Sequence, residues 1–149
     1  MAQLQALEGW AAALMERLGP AGCRQLALQI ARELRQRNTR RMRAQQGPDG
    51  AGWPARKTSK RKGAKTGPMM RGLASARWLR ASATPAAAEV GFSGRAGRIA
   101  SIHHYGQRAP VNWPRGPNYD YPARALLGIS DDDLVKLRGM ILAQATGRQ

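Results

Sequence analysis

Cysteine, acidic side chains and long hydrophobic runs are all scarce in this sequence. The single cysteine, Cys23, excludes an intramolecular disulfide and fits folding in a reducing compartment. No run of about 18 apolar residues occurs, so no transmembrane helix and no membrane partner are expected. Acidic and basic residues interrupt the segment Met1–Leu18, which argues against a signal peptide. We therefore expect a soluble protein made in the cytoplasm.

Aromatic residues are also few, with one Phe, three Tyr and four Trp in 149 residues. Alanine supplies much of the hydrophobic fraction of 42%. The length suits a single domain, but its core is expected to be small. Because neighbouring subunits often complete a small core, we expect a homo-oligomer.

Residue groupings typical of catalysis or metal binding are missing from the sequence. Asp131, Asp132 and Asp133 follow Ser130, which is the pattern of a capped helix start. Adjacent His103 and His104 would point about 100° apart on a helix and could not chelate one metal, so we expect one packed and one exposed ring. No glycine-rich phosphate loop is present. We predict a protein that is not an enzyme, with no catalytic residue, no cofactor and no metal.

The positive charge is large and concentrated. The formal net charge is +16, and residues 51–80 hold nine Lys or Arg and no Asp or Glu. Such a field attracts nucleic acid or an acidic protein face, although a merely solvated linker is the alternative. The candidate contact residues are Arg40, Arg41, Arg43, Arg56, Lys57, Lys60, Arg61, Lys62 and Lys65.

The residue patterns predict an α+β fold. Apolar spacing predicts two N-terminal helices, broken at Gly19-Pro20, over residues 1–44. A basic loop over residues 45–68 follows, and residues 69–129 form a small antiparallel sheet with long loops. The predicted strands are Trp78–Ala83 and Ala88–Phe92. We expect residues 96–105 to form a short helix or a buried segment with Ile99 and Ile102 facing inward. Residues 107–122 are expected to form an irregular loop. A C-terminal helix covers residues 130–145.

Four stretches of the sequence stand in a characteristic order. The first is the opening helix with Leu7-Glu8-Gly9-Trp10, then Gly19-Pro20 and the arginine-rich second helix. The second is the Pro48-Asp49-Gly50 turn, then Trp53-Pro54 and basic residues. The third runs from Val90-Gly91-Phe92 to His103-His104-Tyr105-Gly106, and the fourth is Tyr121–Ile129. In this order they resemble the phage virion morphogenesis family, which includes tail completion proteins of contractile-tailed phages. Ala125 departs from the family pattern, which has proline there.

The resemblance implies a non-catalytic virion protein. Such a protein completes or terminates the contractile tail at its head-proximal end and enables tail–head joining. The resemblance also implies that the protein is a subunit of a ring, which we expect to be hexameric. Its implied partners are tail tube and sheath proteins and neck or head-completion proteins, with possible contact with the end of the packaged DNA. Interface candidates are Trp53, Tyr105, Trp113, Tyr121, Arg124, Leu126 and Leu127. The alternative is a non-specific nucleic-acid-binding protein of the cytoplasm.

Overall fold

The protein has the predicted α+β fold, in a computed structural model that describes residues 2–57, 63, 66–112 and 114–147. Its elements are α1 (Ala2–Arg43), β1 (Leu79–Ala83), β2 (Ala88–Phe92), α2 (Arg95–Tyr105), β3 (Arg108–Asn112), β4 (Arg115–Asp120) and α3 (Asp131–Ala145). Each β element belongs to a two-stranded sheet, β1 with β2 and β3 with β4. The single sheet expected from the sequence is therefore two small sheets.

The two predicted N-terminal helices are the two halves of α1. They meet at Gly19, whose backbone is not helical (φ 69°, ψ 173°). A positive φ suits glycine, and Pro20 can begin the second half because the first turn of a helix does not need its N–H. The expected apolar stripe is buried in part, since Leu14 is 7% exposed whereas Leu4 is 57% exposed.

The end of α1 is fixed by a hydrogen-bonded turn. The Gln46 N–H donates to the Arg41 carbonyl and the Gln45 N–H to the Met42 carbonyl, which is the pattern of a Schellman motif. Gln45 takes the left-handed conformation there (φ 60°) although it is not glycine. Its side-chain amide offsets that cost, because it accepts from the Met69 N–H at 2.7 Å and donates to the Met69 carbonyl at 3.0 Å.

Residues 107–122 form a hairpin, so the prediction of an irregular loop was wrong. β3 and β4 pair antiparallel, with Arg108 opposite Asp120, Pro110 opposite Asn118 and a shift of register before Asn112. Prolines are tolerated because each strand of a two-stranded ribbon has one side without ladder bonds. Arg108 and Asp120 also form an exposed ion pair at 3.0 Å.

The chain divides into two compact units. The first comprises residues 1–34, 81–90 and 131–149. In this unit Leu14, Ala31, Leu34 and Asp133 are buried. The Arg17 guanidinium donates to the Ala145 carbonyl at 2.6 Å and so holds the end of α3. This unit also leaves several large apolar side chains exposed, namely Leu4, Trp10, Met15, Leu134, Val135 and Leu142.

The second unit comprises residues 35–80 and 91–130. Its α1 portion buries Asn38, whose side-chain oxygen accepts from the Gly128 N–H and from the Arg41 guanidinium, both at 3.0 Å. Arg41 also donates to the Gly128 carbonyl at 2.8 Å. Gly128 lies directly against the ring of Pro48, so that a Cβ there would overlap the ring. These contacts fix the turn at Pro48 against the segment that ends at Gly128.

The segment 121–129 lies in the second unit, outside any helix or strand, and makes several polar contacts. The Trp53 indole N–H donates to the Ala125 carbonyl at 3.0 Å, and the Leu126 N–H donates to His104 Nδ1 at 3.1 Å. The side chain of Leu126 is 1% exposed, which places it in the core. The end of α2 reaches the same segment at Gly106, whose positive φ of 69° ends the helix.

Candidate functional site

The second unit contains a cavity of about 910 Å³ that is strongly basic. It lies between the chain on either side of the basic loop, the start of α2 and the β4 end of the hairpin. No carboxylate lines it within the part of the chain that the structure describes. The cations of its wall are Arg56, Lys57, Arg71, Arg95 and Arg124, and its rings are Trp78, His103, Tyr119 and Tyr121.

Aromatic rings hold two of these cations in place. Lys57 Nζ lies 5.3 Å from the centre of the Tyr119 ring, and the Arg95 guanidinium lies 5.6 Å from the centre of the Trp78 ring. Cation–π attraction at such distances orients a flexible side chain. Tyr119 packs edge-on against Tyr121, with the ring centres 4.9 Å apart, and this contact helps to fix the Tyr119 ring. The cavity therefore presents positive charge that is already positioned.

Arg124 anchors the wall from inside the unit. Its side chain is 6% exposed, and it donates to the Pro54 carbonyl at 2.9 Å and to the Ala55 carbonyl at 3.0 Å. Burial lowers the pKa of its guanidinium; the charge of Tyr119 raises that pKa and the charge of Arg56 lowers it. An arginine nonetheless stays cationic in proteins. Arg124 thus adds a fixed positive charge that no carboxylate among the described residues neutralises.

Two buried polar atoms beside the cavity lack a hydrogen bond to any described residue. They are Nε of Arg56 and Nδ1 of His103. Burial, and then the charge of Arg124, lower the pKa of the His103 imidazole, which favours the neutral form of the ring. Both histidines of α2 are half-buried, so the expectation of one exposed ring was wrong. A buried polar group without a partner is costly, so these two atoms mark a part of the unit that is not fully satisfied by its own contacts.

The predicted polyanion-contact residues lie in different settings. Arg40 and Arg43 are exposed, whereas Arg41 is held by Asn38 and Gly128. Arg56 and Lys57 lie in the wall of the cavity. Lys60, Arg61, Lys62 and Lys65 lie outside the described residues. The assignment of this set to a polyanion stays a prediction.

The predicted interface residues also separate. Tyr105 is 68% exposed, and Leu127 is half-buried. Leu126 and Arg124 are buried inside the unit, while Trp53 and Tyr121 are half-buried in it. Trp113 lies outside the described residues. The assignment of the set to subunit contacts likewise stays a prediction.

Sequence reasoning missed two cations of the cavity, Arg71 and Arg95. Both are exposed, and both come close to Arg56 only through the fold. No spacing in the sequence marks them, because they lie in a turn after Met70 and at the first residue of α2. The one local signal is the position of Arg95, directly after a glycine at the start of a helix. This position is common, so it does not mark Arg95 as part of a site.

The comparison with protein families decides the family of this chain. The family model described as the phage virion morphogenesis family matches residues 2–145. The chain belongs to the phage virion morphogenesis family. Within this family, it is 39% identical over 136 residues to tail completion protein S of Escherichia phage P2, which covers 87% of this chain and 89% of that protein. No solved structure matches the chain.

Three of the stretches that resemble the virion morphogenesis family meet in the second unit. The Trp53 indole joins the second stretch to the fourth through Ala125, and the Arg124 N–H joins the fourth to the third through the His103 carbonyl at 2.7 Å. The family motifs therefore hold the walls of the basic cavity together.

None of the helices in the described part of the chain combines the length and the apolar character that a membrane span needs.

Proposed function

We propose that this protein is a structural, non-catalytic component of a phage virion that completes the contractile tail at its head-proximal end. The observation that carries the proposal is the similarity to tail completion protein S, which extends over most of both chains. Three of the four stretches of the resemblance are hydrogen-bonded to one another in the second unit, which suits a structural role. Tail tube, sheath and neck or head-completion proteins are the proposed partners, and the virion tail is the proposed location after assembly in the host cytoplasm.

The protein acts in this proposal as one subunit of a closed ring, with six subunits as the expected number. The first unit supports this, since Trp10 is 40% exposed, Val135 67% and Leu142 55%. Val135 and Leu142 are seven residues apart on α3 and so lie on one face of that helix, and an exposed apolar face is typical of a surface that another protein covers. A ring uses two different surfaces of each subunit, and exposed Tyr105 with Leu127 and Trp113 are proposed for the other.

The basic residues contact the end of the packaged DNA or an acidic face of the adjoining ring. Arg40 and Arg43 support this part, because both are exposed at the end of α1 and neither has an ion pair among the described residues. Lys57 supports it too, because it lies in the cavity wall with its charge held over the Tyr119 ring. The alternative is a cytoplasmic nucleic-acid-binding protein with no role in the tail.

Removal of the protein tests the tail function. A phage or prophage that carries a stop codon early in this gene is expected to yield DNA-filled heads and tails that are not joined, as seen by electron microscopy. The wild-type gene in trans should restore plaques. A variant with Lys57, Lys60, Arg61, Lys62 and Lys65 changed to Gln should restore fewer. Joined, infectious particles without the protein would contradict the proposal, and full restoration by the Gln variant would contradict the basic contact alone.

The ring proposal makes a separate prediction for the purified protein. Size-exclusion chromatography with light scattering should give a mass well above the 16.2 kDa of one subunit. Changing exposed Val135 and Leu142 to Ser should shift the mass towards that of one subunit, because the variant loses apolar surface that subunits bury. Lys136→Ser, on the same helix, is the control and should leave the mass unchanged. A wild-type monomer at all concentrations would exclude the ring in the absence of partners.

A further inference from the structure

We propose that the basic cavity of the second unit binds single-stranded DNA. The inference rests on the proposed function only for the source of the strand, which is the end of the packaged DNA. The cavity wall combines the two features by which proteins bind single strands without reading sequence, namely cations along the backbone path and aromatic side chains beside it. Five cations and four rings line this one concave surface.

The size of the cavity favours a single strand over a duplex. Its volume of about 910 Å³ lies at the upper end of the range for pockets that enclose a drug-sized ligand. Duplex DNA is too wide to enter, since its major groove alone is about 12 Å across. A duplex could therefore contact only the rim.

The charges favour phosphate as the ligand group. Arg71 and Arg95 are exposed at the cavity, and Lys57 is held over Tyr119 where it can meet an anion. Each phosphate that a cation neutralises releases counterions, which makes the binding depend on salt. Arg56 adds a further cation to the same wall, next to Lys57 in the chain.

The rings favour a strand of DNA over an acidic peptide. A half-buried ring offers a flat apolar surface on which a base can stack, and every base has a face for this. Tyr119, Tyr121 and His103 form a continuous series of edge-on contacts, with ring centres 4.9 Å and 5.0 Å apart. An acidic peptide would use the cations but would leave this series without a matching group.

Fluorescence anisotropy with purified full-length protein tests the inference. The probes are a labelled 12-nucleotide oligo(dT) and a blunt 12-base-pair duplex, with polyglutamate as competitor. The wild type is expected to bind oligo(dT) about tenfold or more tightly than the duplex, because only a single strand reaches the rings. Tyr119→Leu should weaken oligo(dT) binding by about tenfold and duplex binding much less, because a duplex does not reach the rings.

Charge variants provide the matched comparison. Arg71→Gln with Arg95→Gln should weaken oligo(dT) binding by about tenfold or more and reduce the salt slope by about 1.4, or 0.7 for each lost phosphate contact. The control is Arg115→Gln with Arg138→Gln, which removes the same charge from exposed positions outside the cavity wall and should weaken binding less than threefold.

Three results would overturn the inference. They are equal effects of the two charge pairs, equal affinity for single strand and duplex, or displacement of oligo(dT) by polyglutamate at equal charge concentration. The last result would assign the cavity to an acidic protein. Binding of purified protein is measured without phage, so any of these results leaves the tail assay and the proposed function as they stand.

Discussion

Replacing Gly106 with alanine is expected to lower the free energy of unfolding by about 2–5 kcal/mol. Two costs add here. The backbone has a φ of 69°, which costs a residue with a Cβ about 1–2 kcal/mol. The new Cβ would also lie 2.7 Å from the Ala123 nitrogen and 3.0 Å from its Cα. Those atoms cannot move freely, because the next N–H, of Arg124, is bonded to the His103 carbonyl at 2.7 Å.

Two other glycines of the same unit separate the two costs. Gly50 has a positive φ of 82° with open space at the Cβ position, so Gly50→Ala should lose about 1–2 kcal/mol. Gly91 has open space and no positive φ, so Gly91→Ala in β2 should gain about 0.5–1 kcal/mol. Urea unfolding followed by circular dichroism measures all three. If Gly106→Ala lowers the free energy of unfolding no more than Gly50→Ala does, the backbone at Ala123 can move aside at little cost.

Leu126→Ala is expected to cost about 3–5 kcal/mol of unfolding free energy, and Leu127→Ala only about 1 kcal/mol. Leu126 is 1% exposed, so its truncation leaves a void that the surrounding segment cannot fill. That segment is fixed on both sides by the Trp53 bond to Ala125 and by the Asn38 bond to Gly128. Leu127 is half-buried and loses less contact.

This pair of variants also tests the role of the two leucines in assembly. If Leu127 contacts another subunit, Leu127→Ala should reduce the oligomer mass with little loss of stability. Leu126→Ala should show the opposite pattern at temperatures where it remains folded. Urea unfolding and light scattering of the same preparations measure both quantities. Equal losses of stability would mean that the segment is less tightly held than these contacts suggest.

The spacing of apolar residues and the residues typical of helix ends and turns predicted most helices and strands of the fold. The strands at Leu79–Ala83 and Ala88–Phe92 and the helix at Asp131–Ala145 lie within a residue of the expected bounds. The hairpin of β3 and β4 was missed because proline usually excludes strand, and a two-stranded ribbon relaxes that rule. Ile99 was expected to face inward, but it is 44% exposed and lines the cavity.

The candidate site shows the limit of reasoning from charge along the chain. The excess charge of residues 51–80 points to the region of Arg56 and Lys57 but not to the cavity. The resemblance places Arg124 among the interface candidates, and the fold buries its side chain, which donates to the carbonyls of Pro54 and Ala55. Its position depends on contacts between segments about 70 residues apart. No local pattern records such contacts.

By itself, the sequence determined the α+β class, the break at Gly19-Pro20, the basic character and the resemblance to a family of virion proteins. These properties follow from local propensity, from charge and from motifs whose order is written in the chain. Only the tertiary structure decided which basic residues share a cavity and which of two adjacent leucines is core. The physical reason is that burial and proximity depend on distant segments meeting, as Asn38 meets Gly128 across 90 residues.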